Sequence, residues 1–197
     1  MVERWTQKKM AGLALEERNE LGLSPFDPLS PFELAEHHGI PIYGLDSLAT
    51  SPLAAQAVMR FSTTGSALWS AALVPVGRLR LIVENTSHSP ERRVSSIAHE
   101  LAHFLLEHEF ESALLSEEKQ CRNFDKTKED QAKFLSSELS VPQQAARRVA
   151  FRGLDNEQVA ARFGVSIQFA QMQMSGARKY AQRALVKQAR SNAGRGA

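Results

Sequence analysis

The stretch His99-Glu100-Leu101-Ala102-His103 constrains this chain more than any other, because its chemistry depends on a helix. Residues four apart on an α-helix lie one above the other on the same face. Both imidazoles can then offer a nitrogen to one tetrahedral zinc ion, at about 2.0–2.1 Å. Glu100 sits beside that edge and reaches a metal-bound water without ligating the metal. Zinc lowers the pKa of such a water to about 7, and Glu100 accepts its proton. With six His and 17 Glu in 197 residues, roughly 0.015 such patterns are expected by chance, before any helical context is demanded. That context is present. Ser89-Pro90 is an N-cap and first-turn signal, and Ile97, Leu101 and Phe104, extended by Leu105, form the apolar stripe of a buried helix. The pattern predicts that helix from Pro90 to about Phe110.

The surrounding pattern is mixed. Residues 4–21 read as a helix, and Pro25, Pro28 and Pro31 break the chain after it. Ser30-Pro31-Phe32-Glu33 starts a second helix, which Gly39 ends before an extended Ile40-Pro41-Ile42-Tyr43. Short apolar or alternating runs at 57–61, 67–74 and 79–84 predict a sheet of three or four strands. Residues 111–126 read as a polar loop. Residues 127–139 read as a helix that stops near Pro142, and the chain is helical again to about Arg190. The fold class is α+β.

A zinc peptidase site needs a third protein ligand and an open position. His108, Cys121, Asp125, Glu129 and Asp130 are the downstream residues able to ligate. His108 is five residues past His103, so on a continuing helix it points away and reads as a polar helix-end residue favouring the dipole. Cys121 falls in the loop. Glu129 is better placed, three residues before Ala132 on the inward stripe that Leu135 and Leu139 continue. Asp130 better fits a first-turn carboxylate that favours the helix dipole.

These blocks together resemble the ImmA/IrrE-type metallopeptidases of bacteria and their mobile elements. The resemblance begins at Leu81-Ile82-Val83-Glu84-Asn85 and His88-Ser89-Pro90-Glu91-Arg92-Arg93, and runs through the zinc motif. It resumes from Glu129-Asp130-Gln131-Ala132 to Val141-Pro142, and continues more weakly to Arg178. It implies a zincin-like fold, in which a small sheet packs on helices around the motif helix. It also implies Glu129 as third zinc ligand and, as substrate, a helix-turn-helix repressor encoded nearby. The chain departs from the family at Lys133, where Asn or Asp is usual, at Ser140 in place of leucine, and at Gln173 in place of arginine. A carboxylate or amide four residues past the ligand suits a hydrogen bond from a ligating histidine, which lysine cannot accept.

The net charge of +2 conceals an asymmetry. From Gln143 onward there are ten Arg/Lys against two Asp/Glu, whereas residues 1–142 carry 14 basic and 20 acidic groups. Residues 155–163, the turn Gly164-Val165-Ser166 and residues 167–178 have helix-turn-helix spacing, which opens the reading of a DNA-binding regulator. The second of those helices offers Gln168, Gln171, Met172 and Gln173 rather than cations, so a helical lid or docking module is preferred. A third reading is an interaction protein, such as one of a toxin–antitoxin pair, with a structural or inactive zinc site. The expected organisation is a peptidase domain at 1–142, a helical segment at 143–190 and a flexible tail at 191–197. One cysteine, no transmembrane-length apolar run and no signal-peptide core at the N-terminus predict a cytoplasmic protein that does not engage membranes.

Overall fold

A computed structural model describes residues 5–108 and 125–193. The predicted loop at 111–126, Cys121 included, lies outside them except for its last two residues, as does the end of the 191–197 tail. Among the described residues the elements are α1 (Gln7–Glu20), α2 (Pro31–His37), β1 (Ile42–Gly44), α3 (Pro52–Ser62), β2 (Ala71–Val76) and β3 (Leu79–Glu84). They continue with α4 (Pro90–Leu105), α5 (Lys126–Ser140), α6 (Gln143–Phe151), α7 (Asn156–Phe163) and α8 (Ile167–Ala193). Short 3-10 turns occupy Leu45–Leu48 and Ser66–Leu68. This is the expected α+β arrangement, a small sheet on helices.

The sheet has three strands in the order β1-β3-β2, with β1 parallel and β2 antiparallel to β3. β2 and β3 form a hairpin across Gly77-Arg78, and Gly77 at φ +60 supplies the left-handed first position of a type II′ turn. β2 is an edge strand and contains Pro75, which is tolerated there because an edge leaves some N–H groups without a ladder partner. The run at 57–61, predicted as a strand, is instead part of helix α3. Ser51 caps that helix through the Ala54 N–H and Pro52 opens it, so the N-terminal signal outweighs the short apolar run.

Two apolar clusters organise the packing. The first gathers Leu34, Leu73, Ile82, Ile97, Leu101, Leu135 and Leu139, all buried, between the sheet and helices α1, α2, α4 and α5. The second gathers Val141, just past the end of α5, with Val149, Val159, Phe163, Ala170 and Met174 of α6, α7 and α8, and Phe26 packs against it. Each fully buried aliphatic side chain contributes roughly 1.5–3 kcal/mol. Arg18 bridges these regions from a fully buried position, donating to the Asp27 carbonyl at 2.8 Å and to that of Leu139. Burial pulls its pKa down to about 10.

Helix α4 is anchored at both ends. The Arg93 guanidinium grips buried Glu84 at the end of β3 through two hydrogen bonds of 2.9 and 2.6 Å. The predicted cap Ser89 makes no side-chain capping bond, leaving Pro90 to open the helix. At the other end the helix stops at Leu105, short of the predicted Phe110, and the Trp5 indole donates to the Leu106 carbonyl. Glu107 adopts φ +51, and the chain reverses through Glu107 N–H to Phe104 O and His108 N–H to His103 O. These two bonds form a Schellman motif, with a glutamate where glycine is usual.

Candidate metal centre

The spacing that puts His99 and His103 on one face of α4 brings their Nε2 atoms to 3.1 Å, with the rings nearly perpendicular. Glu129 reaches the same point from the first turn of α5. Its Oε2 lies 3.3 Å from His99 Nε2 and its Oε1 3.4 Å from His103 Nε2. The three residues each offer one ligand atom, and these atoms lie within 4.8 Å of one another. A tetrahedral ion with bonds near 2.05 Å has ligand–ligand edges of about 3.3 Å, so the donor set and its spacing fit zinc. His103 is buried, whereas His99 is a quarter exposed, which leaves the cluster open on the His99 side.

Glu100, the next residue along the helix, lies against the sheet edge. It is buried, and its Oε2 accepts a hydrogen bond of 2.9 Å from the Leu73 backbone N–H of β2. One carboxylate oxygen of the predicted base is thereby fixed by an edge-strand amide.

Of the other residues able to ligate, Asp125 and Asp130 stand outside the cluster and His108 adjoins it. Asp125 caps α5, accepting from the Thr127 N–H at 2.9 Å and also from that of Lys128. Asp130 is exposed. His108 is not directed away from the motif edge as spacing predicted. The helix ends before it, and the left-handed turn at Glu107 folds it back until its Nδ1 stands 2.9 Å from His103 Nδ1. Its Nε2 lies 3.1 Å from Gln131 Oε1 on α5. Burial lowers the His108 pKa, favouring the neutral ring, and the bond to Gln131 opposes this only partly. The signal that could have revealed this contact is a C-terminal helix stop, and the sequence has no glycine there to mark it.

The departures at Lys133, Ser140 and Gln173 are accommodated away from the three-residue cluster. Lys133 is exposed and, with Gln173, lines a groove of about 640 Å³ that Phe134, Phe169, Met172 and Tyr180 also border. Ser140 is buried and donates to the Ser136 carbonyl at 2.8 Å. Among the matched positions upstream, Asn85 donates to the Phe61 and Trp69 carbonyls, and His88 contacts the Ser66 carbonyl. Arg92 donates to Ser70 Oγ. All four of these contacts hold the approach to α4.

Two imidazoles from one helix, a carboxylate from the next and a buried glutamate alongside are the donor set of a metal-dependent hydrolase. A scan against protein families matches residues 35–175 to the IrrE N-terminal-like domain, peptidase family M78. The match covers most of the chain and both sides of the cluster, and the chain belongs to this family of metallopeptidases. Neither the curated proteins nor the solved structures contain a significant match to it. Among the described residues, no helix is long and apolar enough to cross a membrane.

Proposed function

We propose that the chain is a zinc-dependent endopeptidase in which His99, His103 and Glu129 hold the ion and Glu100 is the general base. The observation that carries this reading is the convergence of two imidazole nitrogens 3.1 Å apart with the Glu129 carboxylate, whose two oxygens stand 3.3 Å from one and 3.4 Å from the other. Zinc held there supplies Lewis acidity, which polarises a substrate carbonyl and acidifies a water. Glu100, held by the Leu73 amide, would take a proton from the attacking water and pass it to the leaving amine.

The substrate we propose is a helix-turn-helix transcriptional repressor, cut at one site in the cytoplasm. The family resemblance supports it, and a peptidase family supports a protein substrate in general. Residues 1–142 carry the chemistry and 143–190 form a helical docking module. The placement of the C-terminal cations favours docking over DNA binding. Arg148 stacks on Phe26, Arg162 donates to the Phe26 carbonyl, and Arg178 is bonded to Asn156 and the Leu154 carbonyl.

The decisive experiment is Glu100→Gln in the full chain, incubated with the repressor encoded beside it. One zinc per chain should be retained while cleavage is lost. Retained cleavage would eliminate the mechanism. A chain that binds zinc, cleaves nothing and shows salt-dependent DNA binding would instead be the regulator considered above.

A further inference from the structure

We infer that His108 and Gln131 are positioning residues that fix the tautomer and orientation of His103, forming a hydrogen-bonded relay from α5 back to the metal-facing nitrogen. This deepens the zinc-site reading and rests on it.

The relay follows from proton bookkeeping along measured distances. His103 presents Nε2 to the His99–Glu129 cluster, so a metal there requires that nitrogen unprotonated and places the ring proton on Nδ1. That Nδ1 stands 2.9 Å from His108 Nδ1, so the His103 N–H donates and the His108 nitrogen accepts. A neutral His108 accepting at Nδ1 carries its own proton on Nε2, which faces Gln131 Oε1, an acceptor, at 3.1 Å. Each donor meets an acceptor, and only one tautomer of each ring satisfies all three contacts.

The placement has its own cost, which argues for a role. His108 arrives through Glu107 at φ +51, a left-handed conformation that a side chain with a Cβ adopts only at a cost. Gln131 belongs to α5, the helix that supplies Glu129 two residues earlier, so the relay ties both walls of the site together.

Zinc affinity, measured on the full chain by competition with a chromophoric chelator, tests this with His108→Leu and His108→Asn. Asparagine places its Oδ1 near the position of histidine Nδ1 and keeps the acceptor for His103. The His108→Leu variant should bind zinc about 10–100-fold more weakly, with His108→Asn within a few-fold of the parent. Long-range 15N spectra of the zinc-loaded chain should show His103 protonated at Nδ1 and His108 protonated at Nε2 with its Nδ1 bare. Equal losses for leucine and asparagine, or parental affinity in a folded His108→Leu, would overturn the relay. Should His108→Leu fail to fold, the parent spectrum decides alone, and a His108 protonated at Nδ1 overturns the relay. A parent chain that takes up no zinc overturns the underlying site reading, an outcome distinct from a zinc-binding chain indifferent to His108.

Discussion

The Leu73 amide of β2 donates to Glu100 Oε2 at 2.9 Å, so the sheet edge and the proposed general base share one hydrogen bond. The bond crosses 27 residues of sequence and sets where the carboxylate stands relative to the His99–His103 edge. Shortening the side chain by one methylene breaks this registration without removing the acid. Glu100→Asp is therefore expected to keep its zinc and lose at least about 100-fold in kcat. A variant within a few-fold of the parent would show that the strand does not position the base.

Glu129 contributes the only carboxylate of the three-residue cluster, and its charge would offset that of a bound ion. Glu129→Ala should lower zinc affinity by two or more orders of magnitude while leaving the helix start intact, because the cap is Asp125. Equilibrium dialysis against buffered zinc reads the difference. Full zinc occupancy at parental affinity would exclude Glu129 as a ligand.

Glu107 occupies the left-handed position of the α4 terminus at φ +51. Glycine there removes the Cβ conflict at some expense in chain entropy, and Glu107→Gly is expected to raise stability by about 0.5–1 kcal/mol. Valine should lower it by more than that and weaken zinc binding, since His108 hangs from this turn. Denaturant midpoints for the two variants should move in opposite directions.

Burial raises the Glu138 carboxyl above its ordinary value of 4.5, against the opposing pull of the Gln143 N–H, Arg18 and Arg147. The folded chain then holds this proton more tightly than the unfolded chain does. Glu138 thus favours folding below pH 4.5, and that contribution is lost as pH rises through its folded value. Glu138→Gln keeps an oxygen to accept from the Gln143 N–H, found at 3.1 Å, and should be more stable than the parent at neutral pH. The difference in melting temperature should close on acidification to about pH 4. A constant difference across that range would rule out the titration.

Local signals that specify their own geometry were legible before the fold was known. A four-residue spacing aligns His99 with His103 wherever a helix forms, and the inward stripe of Ala132, Leu135 and Leu139 places Glu129 on the side facing α4. Ser30-Pro31 and the alternation at Leu79–Glu84 likewise fix a helix start and a strand. What was hidden depended on where a helix stops. Spacing arithmetic carried α4 through His108, but a left-handed glutamate ends the helix early, and no propensity marks such a residue. The misread strand at 57–61 has the same origin, since the deciding cap at Ser51 lies six residues upstream. The Leu73–Glu100 bond was equally invisible, because backbone amides carry no sequence signature.

Arg18 gives the molecule a mechanical property as well as a buried charge. One guanidinium holds the Asp27 carbonyl and the end of α5, while neighbouring Phe26 receives Arg148 and Arg162 from the C-terminal helices. The two apolar clusters are thereby laced together through one short N-terminal segment. Heating should release both in one calorimetric transition, and cutting the chain at residue 142 should leave an insoluble fragment rather than a smaller enzyme.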